Sequence, residues 1–327
     1  MKTLRIGEAN FPRIILGHLP FLGESYQGTL RNQEYLRRFS NIENTIRIIM
    51  KALTSGVNTM AATSSSTLHG KLLRKAIRNA ITRTGRSLAI LPCFSIPLTL
   101  DEERIDDYRR WLTYYQYEQH HTSSPLLDIY LSDPILQCRP EWKTKFAHAN
   151  QTSSAYTSDE IARLQINYPA LQDALTFFED FSVIGIEAGS ESDFLVMTGR
   201  FDLLEAFTQF LEKTFHCPVF LGIHHAGTSL PLLDQQDLGV SGYLTPINKL
   251  GALMLPTPTQ ALDAITSTSK PVIAIKPLAG GRIPPSEAFE YVFQVAHADA
   301  TMIGVASEEE FDEDLTAAQS SGAFILS

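Results

Sequence analysis

Residues 272–289, VIAIKPLAGGRIPPSEAF, hold the two signals that decide the fold. A strongly apolar run rich in β-branched residues reads as a buried strand, and it ends on Lys276. Pro277, Gly280 and Gly281 then break the run before a helical pattern begins. In that pattern Phe289, Val292, Phe293 and Ala296 recur at i, i+3, i+4 and i+7, one face of a helix. Strand, glycine-bearing turn and helix make one unit of a parallel α/β sheet. An ammonium group at the tip of a buried strand poses the functional question of this chain.

The same unit repeats on both sides. Strand-like runs are predicted at 13–19, 57–63, 87–95, 126–133, 182–189, 218–225, 242–248, 272–278 and 300–307, with amphipathic helices between most of them. About eight such repeats predict a single (β/α)8 barrel domain spanning residues 1–327. Nine runs are one too many, and the stretch from about 135 to 200 stands apart as an insertion. It carries the polar linker HANQTSSAYTSDE, and its apolar runs around AGSES fit a barrel strand and an inserted hairpin equally well.

Composition narrows the partners. A chain of 327 residues with 44% hydrophobic and 19% charged residues can bury a full core. A net charge of -9 argues against nucleic acid, which needs a basic face. Cys93, Cys138 and Cys217 are far apart, with no CxxC pair, so neither a disulfide framework nor a zinc ribbon is expected. No run reaches the length of a membrane span and the N-terminus lacks a cleavage signal. The expectation is a cytoplasmic protein with reduced thiols and a small-molecule ligand.

Several strand endings resemble those of the aldo-keto reductase superfamily. GYLTPINKLG, VIAIKPLAGGRI and ATMIGVASEEEFDEDLTAA are similar to its sixth, seventh and eighth strands, and FLGIHHAG to its fifth. RIILGHLPF and GVNTMAATSSSTLHGKLLRKA resemble the first two. The resemblance covers about two-thirds of the chain and implies an aldo-keto-reductase-like barrel. It also implies that Gly280, Gly281 and Ser307 border a nicotinamide cofactor. The family's Asp, Tyr, Lys and His tetrad would fall on Ala61, Ser66, Pro92 or Cys93, and Asp133, so ordinary ketone reduction is not expected. SEEEFDED at 307–314 would repel a 2'-phosphate, which favours NAD over NADP. Those acids are equally explained by a capping box of Ser307 and Glu310 at a helix N-terminus.

Alternation along each strand selects the residues that face the barrel mouth. With the larger aliphatics Ile273 and Ile275, Leu221 and Ile223, Ile184 and Ile186, and Leu127, Ile129 and Leu131 turned outward, the inward set is Lys276, His224, Glu187 and Asp128. A desolvated Lys276 would serve as base or Schiff-base nucleophile towards a small polar carbonyl or sugar-like compound. His224 and Glu187 would carry protons, and His18, Asp128 and Asn248 would contact substrate. Four other readings are open. Lys276 and Glu187 could form an ion pair that plugs the barrel. The chain could be an NAD-dependent oxidoreductase with a relocated proton donor, or a non-catalytic ligand-binding barrel. His224, Glu187 and either Asp128 or His18 could ligate a divalent metal, although no local spacing supports it. The aromatic run WLTYYQYEQHH at 111–121 reads as helix packing.

Overall fold

The computed structural model describes residues 3–6 and 9–323. Eight parallel strands close into a barrel: β1 (Ile14–Leu16), β2 (Thr59–Thr63), β3 (Ala89–Phe94), β4 (Ile186–Ala188), β5 (Val219–Gly222), β6 (Gly242–Pro246), β7 (Val272–Ile275) and β8 (Ala300–Ile303). Closure runs through Met302 beside Ile15 on one side and Glu187 beside Cys93 on the other. Helices separate most successive strands, the arrangement that buries a parallel sheet on both faces. No helix among the described residues is long and apolar enough to cross a membrane.

The run at 126–133 is not a strand. Leu126–Ser132 is a helix, with Leu126 and Tyr130 buried one turn apart. A short apolar run carries no period long enough to separate the two states. Here tertiary packing decides: Tyr130 stands edge-on to Trp111, and its carbonyl accepts the indole N–H of Trp142 at 2.8 Å. Removing this run leaves eight barrel strands, and the open question at 182–189 resolves with it. Ser182–Val183 pairs with β3 and leads directly into β4, so the segment is a barrel strand.

The insertion lies earlier than expected, between β3 and β4, at residues 95–181 rather than 135–200. It contains a small antiparallel sheet and the helices Asp107–Glu118, Leu126–Ser132 and Trp142–Thr152. Its aromatic residues Trp111, Tyr114, Tyr130 and Trp142 form one buried cluster, so residues 111–118 of the run at 111–121 do pack as a helix and the last three form a turn.

At the opposite end, the hairpin of Thr3–Ile6 and Ala9–Pro12 presses Phe11 into the barrel. Phe11 meets Phe220 edge-to-face with ring centroids 5.2 Å apart. Gly185 makes room for it, since a Cβ there would stand 2.6 Å from the Phe11 ring. The inner cluster also contains Ile15, Leu91, Leu244, Ile273 and Ile275. This corrects the expected parity of β7: Ile273 and Ile275 point inward, while Val272 and Ala274 pack with the outer core. Barrel layers need bulky side chains to fill them, so size alone does not send an aliphatic outward.

Candidate active site

Lys276 reaches the mouth by a different route from simple alternation. It follows the last residue of β7 and adopts φ +56, in the left-handed region. Such a conformation costs a non-glycine residue on the order of 1 kcal/mol or more, and it persists only where the surroundings over-determine it. Ala279, Gly280 and Gly281 are also left-handed, so the strand exits through a tight coil of turns. The coil allows Ile275 and Lys276 to face the same cavity although they are adjacent in sequence.

The Lys276 ammonium lies 3.1 Å from Nε2 of His224, which follows β5. No carboxylate stands within the 4.0 Å of an ion pair among the described residues. The Lys276–Glu187 plug therefore does not form. Burial pushes the Lys276 pKa down to about 8, with Arg139 adding to the shift and Glu187 opposing it. Burial, then Lys276, drives His224 well below the usual histidine value, so it is neutral and can accept the ammonium proton. Burial raises the Glu187 carboxyl, against a hydrogen bond from Cys93 and the charge of Lys276. Gly222 gives that carboxylate its place, because a Cβ there would lie 2.7 Å from Glu187 Oε1.

Two cavities meet at these residues. The wider, about 760 Å³, runs from Cys93, Glu187, His224 and Lys276 past Gly280 and Gly281 to Glu310, Glu313 and Asp314. The narrower, about 320 Å³, lies under the 95–181 insertion, and it shares Glu24, Tyr26, His224 and Lys276 with the first. Both sizes fall in the range of small-molecule sites.

Six predicted residues line the wider cavity: Lys276, His224, Glu187, His18, Gly280 and Gly281. His18 is buried, which lowers its pKa to about 4, and its Nδ1 has no partner. Gly280 serves the protein itself, since a Cβ there would stand 3.0 Å from the Tyr26 carbonyl. Three predicted residues lie elsewhere. Asp128 is exposed on the helix Leu126–Ser132, because the strand that would have turned it inward does not exist. Asn248 is fully buried and uses its amide to close its own turn, bonding Ala252 N and O at 2.9 Å each. Ser307 caps the helix Glu308–Ala318 by accepting from Glu310 N, and the Glu310 carboxylate takes Ala306 N rather than completing the box. With Asp128 remote, its metal set does not assemble, and no group of three His, Cys, Asp or Glu side chains is placed to hold a metal among the described residues.

Sequence reasoning missed Tyr26, whose ring centroid lies 5.3 Å from the Lys276 ammonium. It sits in a loop held by Arg282, which donates to the Tyr26 carbonyl at 2.7 Å. Arg110 and Arg139 were also missed, because only the insertion's fold brings them to the mouth. The pair SerTyr at 25–26, in the loop beyond the short helix Leu19–Leu22 that follows β1, was the one local signal available.

No protein-family model and no curated protein matches the chain. Solved structures do. PA4992 of Pseudomonas aeruginosa, assigned to the aldo-keto reductases, superposes with a TM-score of 0.52 over 98% of this chain and 95% of its own, at 12% identity. A second structure of an aldo-keto reductase from Pseudomonas aeruginosa gives 0.54 over 98% and 94%, at 11% identity. The barrel is aldo-keto-reductase-like. In this aldo-keto-reductase-like barrel the ends of β2, β3 and β4 carry Thr63, Cys93 and Glu187. The tetrad's fourth position was sought at Asp133, but the fourth strand ends near Glu187 instead. Asp133 is structural: it accepts from the backbone of Ile135, Leu136 and Leu253 at 2.8, 2.9 and 2.6 Å.

Proposed function

We propose that the protein reduces the carbonyl group of a small polar compound with a nicotinamide dinucleotide, and that the Lys276 ammonium is its relocated proton donor. The observation that carries this reading is the 3.1 Å contact of Lys276 with His224 where the two cavities join. A pKa of about 8 leaves Lys276 mostly protonated at neutral pH yet acidic enough to give up its proton. A Schiff base requires the neutral amine instead, so the donor role is favoured over the nucleophile.

The wider cavity has features that fit the cofactor. Among the described residues its wall contains three buried polar atoms without partners, His18 Nδ1, Arg31 Nε and His224 Nδ1. It also passes Gly281, where a Cβ would meet only Gln27 Nε2, at 3.2 Å. His18, Arg31 and the Gly280–Gly281 turn would hold the group, which when bound supplies a hydride. Lys276 orients the carbonyl oxygen and donates the proton that completes the alcohol. His224 steadies the ammonium, Glu187 holds negative charge opposite, and Tyr26 covers the mouth. Burial, with Glu310 and Glu313, raises the Asp314 pKa to about 8, and the acids around it disfavour a 2'-phosphate.

Fluorescence titration with NADH and NADPH, joined to turnover of the Lys276→Met variant, tests the reading. NADH should bind more tightly, and the variant should fold but lose turnover. Trapping of a carbonyl compound on Lys276 by borohydride would instead establish the Schiff-base mechanism. Tighter NADPH binding that falls with salt would show that a basic contact overrides the acids.

A further inference from the structure

The narrower cavity has an unusual balance of hydrogen-bonding groups. Its carboxylates are occupied. Asp193 accepts from the backbone of His224 and His225 at 2.7 and 3.2 Å and from Ser229 Oγ at 2.8 Å. Glu24 takes the Tyr26 amide at 3.2 Å. Arg110 is also paired, with Glu191 at 2.8 Å and Asp107 at 3.0 Å.

Arg139 is different. Its guanidinium lies over the rings of Trp111 and Trp142, 5.5 and 5.7 Å from their centroids, and among the described residues no acid pairs with it. Stacking thus aims the planar fork while leaving its donors uncommitted. The residue is solvent-exposed at the rim of the lobe, while desolvation by its neighbours and the nearby Arg110 both push its pKa down, against Asp107. Among the lining atoms buried without partners in the described residues are Trp111 Nε1, His224 Nδ1 and Arg110 Nε. An indole N–H only donates. Since His224 Nε2 accepts from Lys276, the ring proton is assigned to Nδ1, which is then a donor too.

We propose that this lobe binds an oxyanion carried by the substrate, a carboxylate or a phosphate, with Arg139 as its anchoring cation. That the anion belongs to a carbonyl compound rests on the function proposed above, whereas the anion site itself does not. A guanidinium fork matches either group, and its free donors are what such a group requires. The substrate class is then a small oxo acid or a phosphorylated carbonyl compound, with its carbonyl at Lys276 and its charge under the insertion.

The chain's two tryptophans are the two that lie against Arg139, so intrinsic fluorescence reads this site directly. The full chain is titrated with pyruvate and its neutral counterpart pyruvamide, and with dihydroxyacetone phosphate and dihydroxyacetone. At least one charged probe should give a saturable change, with its neutral partner about tenfold weaker or more, since a charged hydrogen bond is worth about 1.5–3 kcal/mol. A response to pyruvate alone identifies a carboxylate, and to dihydroxyacetone phosphate alone a phosphate. Arg139→Gln should weaken the charged probe by about 10- to 100-fold, and Arg139→Lys by less. The Arg139→Gln change removes no ion pair among the described residues, and its circular dichroism should stay native.

Equal affinity for charged and neutral probes, no binding of either charged probe, or unchanged affinity in a folded Arg139→Gln variant overturns the proposal. Assaying turnover of the same carbonyl probes by the unaltered chain separates the two readings. Binding that depends on Arg139 in an unaltered chain that turns over no carbonyl compound supports the anion site while the enzymatic reading falls.

Discussion

Lys276 concentrates the backbone and electrostatic cost of the mouth in one residue. The unfolded chain holds a lysine near 10.5, whereas the folded one holds it near 8. Below pH 8 both states are protonated and the penalty for burying the charge is fully present. Between about 8 and 10.5 the unfolded state binds the extra proton, so stability rises with pH across that window. Lys276→Met should flatten this rise, as read from denaturant midpoints at pH 7 and pH 10, and should leave stability at pH 7 unchanged or improved. A loss of 3–5 kcal/mol, the cost of orphaning a buried partner, would mean a hidden ion pair. Activity responds in the opposite sense. A proton donor must be charged, so kcat/KM should fall as pH rises through about 8, and a profile flat to pH 10 would exclude Lys276 from that role.

At the scale of elements, the segment after β5 is held from behind. Asp193, on the helix Glu191–Met197, gathers the amides of His224 and His225 and the hydroxyl of Ser229. The buried Glu118 lies 2.9 Å from His225 Nδ1 and accepts from Tyr130 and Thr228. Burial opposes a charge on His225, but Glu118 and Asp193 outweigh it and raise its pKa. His224 therefore faces the cavity from a segment whose neighbour is tied into the core. Asp193→Ala strips the acceptor from two buried amides and should destabilise the fold by about 2–4 kcal/mol. It should also reduce turnover more than it raises KM, because His224 loses its position rather than the substrate a contact. Urea unfolding with a constant m-value, alongside steady-state kinetics, checks both parts. Asp193→Asn keeps one acceptor oxygen and should recover part of each loss.

Across the whole molecule, the packed plug and the cavities occupy opposite ends of the barrel. The N-terminal end is closed by Phe11, and the C-terminal end carries both cavities. Phe11→Ala empties a fully buried aromatic site and should cost about 3–5 kcal/mol. The same change should leave KM for the small substrate and the pH profile untouched, since Phe11 lines neither cavity. Altered ligand affinity in a folded Phe11→Ala protein would show that the two ends are coupled. The insertion at 95–181 is the third large-scale feature: it roofs the narrow lobe and brings Arg110, Trp111 and Arg139 to residues from β5 and β7.

Local pattern alone was enough for the barrel and the strand endings, and it named Lys276, His224 and Glu187 as candidates, Lys276 through a parity that the structure reverses. Strand and helix periods, and turns at Pro277, Gly280 and Gly281, are short-range properties that one sequence displays. The same short range misassigned residues 126–133 and put Asp128 in the site, because seven apolar-rich residues suit either state until Trp111 and Trp142 pack against them. It also reversed the parity of β7, where the left-handed turn at Lys276, not alternation, delivers the amine to the mouth. Asn248 was misplaced for a related reason: its polar atoms are satisfied within its own turn. Only the tertiary structure separated Lys276 from Glu187 as an ion pair, joined it to His224, and set Arg139 at the same mouth without a counter-ion among the described residues. Those relations depend on distances between separate segments, 52 residues apart for Lys276 and His224, and side-chain periodicity along one segment carries no information about them.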